Sequence, residues 1–270
     1  MIKFFKNIAK DVKYSLFDFH PFFFTNKPLK SKEYYLNLYN EEKKNVYSEI
    51  DEFINSLGFD IDKDWLDNLA LSTQVVIKKS KLNYQHGKIL YATLRNFIQK
   101  NKYQNLTVFE TGTSRGFSSI CMSKAINDSH SSGKIITLDI LPHNTKMYWN
   151  VIDDHNGMKT RSELLEKWEN EINNIVFIEG WTNRQIKRLG INRIHYAFLD
   201  AQHEFENVLQ EYNFVKQRQF TNDIIVFDDV TKNKFDGVCK AVEAIEKQKL
   251  YRLEYISSSD NRGYAIARKI

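Results

Sequence analysis

The stretch that most restricts what this chain can fold into is residues 106–119, LTVFETGTSRGFSS. Residues 106–109 are apolar, β-branched and aromatic, the composition of a short buried strand. Glu110, Thr111 and Gly112 follow as an acid and two small residues, then comes Gly116, and a helix start is expected near Ser118. Strand, glycine turn and helix N-terminus make a ligand cradle. Missing Cβ atoms let backbone come close to a ligand, and free N–H groups point at it. Two familiar glycine loops are excluded. A dinucleotide fingerprint requires glycine where Ser114 and Phe117 stand, and a P-loop requires a Gly-Lys-Ser/Thr ending that this chain lacks.

From this loop onward the chain alternates between β-type runs and helical stripes. Strands are expected over residues 133–140, 175–180, 195–200 and 223–229, each separated by a helical pattern. The helix over residues 160–172 carries a capping box, Thr160 with Glu163. The last twenty residues read as two strands around a Ser/Asp/Asn/Gly turn. Upstream, residues 31–57 read as helical and stopped by Gly58, with further helices over 65–76 and 85–100. The segment Asn83-Tyr84-Gln85-His86-Gly87 is expected to line the cofactor site from outside, with His86 structural. Such an order predicts an α/β, Rossmann-like doubly wound fold: a mostly parallel seven-stranded sheet, an antiparallel C-terminal hairpin and a preceding N-terminal helical segment. We divide the chain into residues 1–83, a helical extension or cap, and residues 84–270, the core.

Composition narrows the partners. Among 270 residues, 39 Lys and Arg offset 34 Asp and Glu, a mild excess without the basic stripe that nucleic-acid binding demands. The isolated Cys121 and Cys239 fit reduced thiols in a cytoplasmic protein better than a disulfide framework. No apolar run is long enough to span a membrane. Residues 1–24 combine a basic amphipathic helix pattern with Phe22, Phe23 and Phe24. That pattern fits packing on the same chain or on a second subunit, as in a homo-oligomer; the competing reading is weak peripheral attachment to a membrane surface.

Ligands of open α/β sheets bind outside the carboxyl ends of the strands. Here those ends carry Glu110, Asp139, Trp181, Asp200, Asp228 and Asp229. A carboxylate at Asp139 can accept both hydroxyls of a ribose, although turns favour Asp for local reasons too. Neighbouring strands lie about 4.8 Å apart. Three carboxylates at adjacent ends therefore either hold a proton or share a cation, and all-oxygen ligands suit magnesium or calcium.

The acidic-x-Gly-x-x-x-Gly loop resembles that of class I S-adenosylmethionine (SAM)-dependent methyltransferases, over roughly residues 84–270. Together, VFETGTSRGFSS, LDAQHEFENV and IIVFDDV resemble one branch of that superfamily, the metal-dependent sugar O-methyltransferases and the cephalosporin-hydroxylase-like proteins. The resemblance implies that SAM is held by Glu110, Gly112, Thr113, Ser114, Gly116, Ser118, Asp139, Trp181 and Asp200. It implies a magnesium ion on Asp200, Asp228 and Asp229, with His203 as general base and Asp200 at the reacting centre. Asp228 departs from the branch, which often has Glu there. The implied activity is methyl transfer to a hydroxyl of a small molecule or glycan. Two alternatives stay open: a metal-independent SAM methyltransferase on an N or O nucleophile, and a non-catalytic scaffold with the SAM fold. Residues 140–160 are expected to form a lid or acceptor pocket with Tyr148 and Trp149.

Overall fold

The computed structural model describes residues 25–78 and 80–270. The expectations placed on residues 1–24, membrane attachment and self-association, lie outside the described residues. Seven strands form one sheet in the order β3-β2-β1-β4-β5-β7-β6. They are β1 (Asn105–Thr111), β2 (Ser132–Asp139), β3 (Ile175–Glu179), β4 (Tyr196–Leu199), β5 (Ile224–Phe227), β6 (Tyr251–Ser257) and β7 (Gly263–Lys269). β1 to β5 pair in parallel, and β7 runs antiparallel to both β5 and β6. The order reverses between β1 and β4, which makes their carboxyl ends the switch point where an open α/β sheet opens a crevice. β4 and β5 are buried at every residue, as continuous apolar runs predict for strands covered on both faces.

Among the described residues four helices precede the sheet: α1 (Lys32–Glu42), α2 (Ser48–Leu57), α3 (Lys63–Thr73) and α4 (His86–Asn101). The single helical stretch expected over residues 31–57 is therefore two helices. The buried Glu42 carboxylate accepts the Asn45 amide at 2.7 Å and the Tyr47 hydroxyl at 3.0 Å, and those bonds close a turn where the helix would have continued. Gly58, in the left-handed region at φ 78°, caps α2 as its sequence position predicts. One face of the sheet is covered by α2, α3, α4 and α5 (Phe117–Asp128) through Ile54, Leu66, Leu90, Phe97 and Ile120. α9 (Phe205–Lys216) and α10 (Asp236–Lys247) cover the other face through Val208, Tyr212, Val238 and Val242. Between β2 and β3 lie the short α6 (Arg161–Leu164) and α7 (Glu169–Ile172); α8 (Thr182–Gln185) follows β3. The Thr160–Glu163 capping box forms as predicted, but the helix breaks at Leu165, whose side chain turns inward to fill the space over Gly116.

Residues 140–160, expected as a lid or acceptor pocket, are anchored to the rest of the chain through Trp149 and Asn150. Trp149 is fully buried and its indole N–H donates to the Lys159 carbonyl at 2.8 Å. The Asn150 side chain accepts the Ile77 N–H and the Tyr35 hydroxyl and donates to the Ile77 carbonyl. These bonds tie the insert to the segment after α3, which delivers Lys78 to the strand ends.

Candidate active site

The glycine loop folds as strand, turn and helix, though its glycines serve a purpose that the sequence does not reveal. A Cβ on Gly112 (φ 88°) would fall on the Asp200 carbonyl, and one on Gly116 (φ 94°) would meet Leu165. Their missing side chains let β1 and β4 end close together and let Leu165 pack. At both positions the missing Cβ makes room for a neighbouring part of the chain. No side chain caps the N-terminus of α5, so its first-turn N–H groups keep their capacity toward the crevice.

Asp139 ends β2 beside this loop. One carboxylate oxygen accepts the Ser114 N–H at 2.6 Å and the other the Leu141 N–H at 2.7 Å. Ser114 sits at φ 48°, and Arg161 anchors its carbonyl at 3.0 Å while also bonding the Leu141 carbonyl at 3.1 Å. The buried Arg161 thus ties the two turns that flank Asp139. Nearby, Arg115 donates to the Trp149 carbonyl.

Glu110 lies deeper than the resemblance implies for a donor contact. It is fully buried and accepts hydroxyl bonds from Ser118, Ser119 and Thr137. Burial pushes its carboxyl up despite those three hydroxyls. Thr113 is likewise buried and bonded to Thr137. Trp181 is half-buried at the start of α8, at the end of β3.

The second half of the site sits at the ends of β4 and β5. His203 Nε2 lies 3.0 Å from Asp229 Oδ2, and its ring packs on Phe235 at 4.5 Å between centroids. A Cβ on Gly237 would strike the His203 carbonyl, so the glycine opening α10 lets the His203 loop settle there. Asp229 occupies the left-handed region at φ 54°, a conformation that Asp tolerates better than most residues. Asp200, His203 and Asp229 each present one ligand atom within 4.8 Å of the others. Burial, then the nearby Asp228 and Asp229, hold the Asp200 carboxyl well above the usual carboxylate range.

Asp228 faces elsewhere. Its buried carboxylate takes both Nε, at 3.2 Å, and Nη2 of Arg262, and Oδ1 also accepts the Asp229 N–H at 2.7 Å. Burial would raise its carboxyl, but the Arg262 guanidinium outweighs this and holds it below the usual range. Of the three acids expected on one metal, the structure brings Asp200 and Asp229 together with His203 and commits Asp228 to Arg262. Lys78 stands in the field of Arg262, Asp228 and Asp229; burial and the guanidinium draw its ammonium down to about 8. His86 is packed between Phe117 and Phe198 with Nδ1 unpartnered, and burial holds its imidazole down at about 3, in keeping with its expected structural place.

Arg262, Lys78 and Arg161 were not legible in the sequence as site residues. Arg262 lies in the β6–β7 turn, Lys78 in the loop after α3 and Arg161 at the start of the short α6, and only the fold carries them to the rim.

Residues 109–230 match a family model described as a methyltransferase domain. Solved structures share the fold. A cofactor-bound protein, Rv0187 from MTB, is 17% identical with a TM-score of 0.57, covering 82% of this chain and 95% of that one. The O-methyltransferase TomG from Streptomyces achromogenes, in complex with SAM, is 15% identical with a TM-score of 0.54, over 78% and 92% of the two chains. The O-methyltransferase NovP is 12% identical with a TM-score of 0.53, over 76% and 98%. Residues 109–230 thus carry the match to a methyltransferase domain, within a sheet that has the Rossmann-like fold of these methyltransferase structures. No curated protein matches the chain.

Proposed function

We propose that this enzyme methylates a hydroxyl of a small molecule or sugar, with residues 84–270 as the transferring core and residues 1–83 as its cap. The observation that carries the reading is the His203–Asp229 pair beside Asp200, on the same rim as Asp139 and the glycine loop. Bound SAM supplies an electrophilic methyl group on a sulfonium. The chain has to hold donor and acceptor in line, a contribution of about 7–11 kcal/mol in well-oriented reactions, and to remove the acceptor's proton.

Asp139 spends one lone pair of each oxygen on backbone N–H groups, which leaves the others for the two ribose hydroxyls. Ser114 and Trp181 border that position. Glu110, saturated by three hydroxyls, holds the start of α5 against β1 and β2 and acts as a positioning residue. His203 donates Nε2–H to Asp229, which fixes the tautomer and leaves the Nδ1 lone pair to take the proton.

Magnesium on Asp200, Asp228 and Asp229 does not fit the donor set, because it would have to share or take Asp228 from the buried Arg262 guanidinium, a cation bonded to both of its oxygens. The closeness of Asp200, His203 and Asp229 favours a second reading, in which those three hold a divalent ion and supply its ligands. A screen of sugar and natural-product alcohols with SAM, read as S-adenosylhomocysteine (SAH) release, tests the main reading. Release with alcohols that fails in His203→Ala supports it. Release with amine acceptors alone contradicts it.

A further inference from the structure

We propose that the Arg262 guanidinium is itself the cation of the acidic cluster, filling at Asp228 and Asp229 the place that the resemblance gives to magnesium, so that methyl transfer here needs no divalent ion. This rests on the methyltransferase reading of the site and concerns how the site neutralises its acids.

Arg262 grips Asp228 with two nitrogens, and its Nε stands 3.8 Å from Asp229 Oδ1. A planar fork of this kind matches a carboxylate better than any other side chain does, and it never loses its charge at physiological pH. The side chain is built in. Its third nitrogen, Nη1, donates to the Asn83 carbonyl at 3.3 Å. The β6–β7 turn that carries it is closed by Asp260, which accepts the Ser258 hydroxyl and the Asn83 amide. The turn is then clamped to the exit of β5: Gly263 N–H donates to the Thr231 hydroxyl at 3.0 Å, and Val230 N–H donates to the Gly263 carbonyl at 2.9 Å. A Cβ on Gly263 would strike the Val230 carbonyl, so only glycine permits this approach. The hairpin is thus shaped to seat Arg262 on Asp228.

Charge count points the same way. Arg262 already sits on Asp228 and beside Asp229, and Lys78 lies in the field of the same two acids. A dication added to that set would leave excess positive charge beside the sulfonium of the donor. It would also have to expel a guanidinium from a buried carboxylate, and breaking such a pair from one side is strongly unfavourable.

The test is a calorimetric titration of the EDTA-stripped full chain with magnesium and with manganese, without and with SAH, alongside thermal melts. The wild type is expected to take up neither ion, and EDTA is expected to change SAH affinity and turnover by less than twofold. Arg262→Ala, which frees Asp228 and Asp229, is expected to bind manganese or magnesium and to melt higher in its presence. Stoichiometric ion uptake by the wild type overturns the proposal, as does a folded Arg262→Ala that gains none. Should that variant fail to fold, the wild-type titration decides alone. A protein that ignores SAH contradicts the donor site instead, and the ion titration still stands.

Discussion

The Asp139 carboxylate and the Ser114 N–H are joined at 2.6 Å, so the acid at the end of β2 and the turn of the glycine loop are one rigid piece. That bond places a partly satisfied carboxylate beside a helix N-terminus. On the proposed reading Asp139 accepts the ribose hydroxyls, and replacing it by Ala removes that acceptor. The expected loss is about 1.5–3 kcal/mol of SAH affinity, roughly 10–100-fold in Kd, measured by calorimetry. Unchanged affinity would remove Asp139 from the donor site.

On the proposed reading, His203 and Asp229 act together in proton removal. His203→Ala is expected to lower kcat by about 10²–10⁴-fold while SAH affinity holds. Asp229→Asn is expected to lower kcat as well, because the Asn amide no longer fixes the imidazole tautomer. Stopped-flow or steady-state turnover with an acceptor alcohol reads both. A variant that loses SAH affinity in step with kcat would show the pair to be structural.

Glu211 gives the fold a pH dependence. It is buried on α9 and accepts the Thr111 hydroxyl at 2.7 Å; burial lifts its carboxyl from 4.5 to about 8. A raised acid contributes stability that is whole below the unfolded value and is lost as pH climbs through the folded one. The melting temperature is therefore expected to fall between pH 4.5 and about 8 on this group's account, by about 1.4 kcal/mol of stability per pH unit at most. Glu211→Gln keeps the Thr111 bond and is expected to flatten that slope. Parallel slopes in the two proteins would show that Glu211 is ionised in the fold.

Gly112 tests the close approach of the ends of β1 and β4. Gly112→Ala drives a methyl group into the Asp200 carbonyl at a positive φ, and a loss of roughly 3 kcal/mol or more is expected in denaturant titration. Gly190→Ala, with open space around its Cβ, is expected to stay within about 0.5 kcal/mol of wild type. Equal behaviour of the two would mean that the strand ends part easily.

The sheet was legible because its middle strands are apolar on both faces, and the striped helices between them leave few topologies. β4 and β5 end where HYAFLD and DIIVFDD place them, to within a residue or two. What escaped were local choices made by tertiary bonds. Glu42 breaks one helical pattern by gathering Asn45 and Tyr47, and Leu165 breaks another by turning toward Gly116. Asp139, Asp200, His203 and Asp229 all lie at the strand ends, since a residue at a strand's carboxyl end is placed by topology alone. The turn SSSDNRGY gave no hint of Arg262, because nothing local says that the hairpin folds back on the exit of β5. Asp228 and Asp229 are adjacent in sequence yet face different partners, a division set by Arg262 on one side and His203 on the other.

The most direct test of the whole account is a crystal structure of the chain with SAH. The account predicts the adenosine ribose on Asp139, the glycine loop along the amino-acid portion, and the sulfur turned toward Asp200 and His203. SAH bound away from that rim, or a rim left empty in a folded protein at saturating SAH, would contradict it.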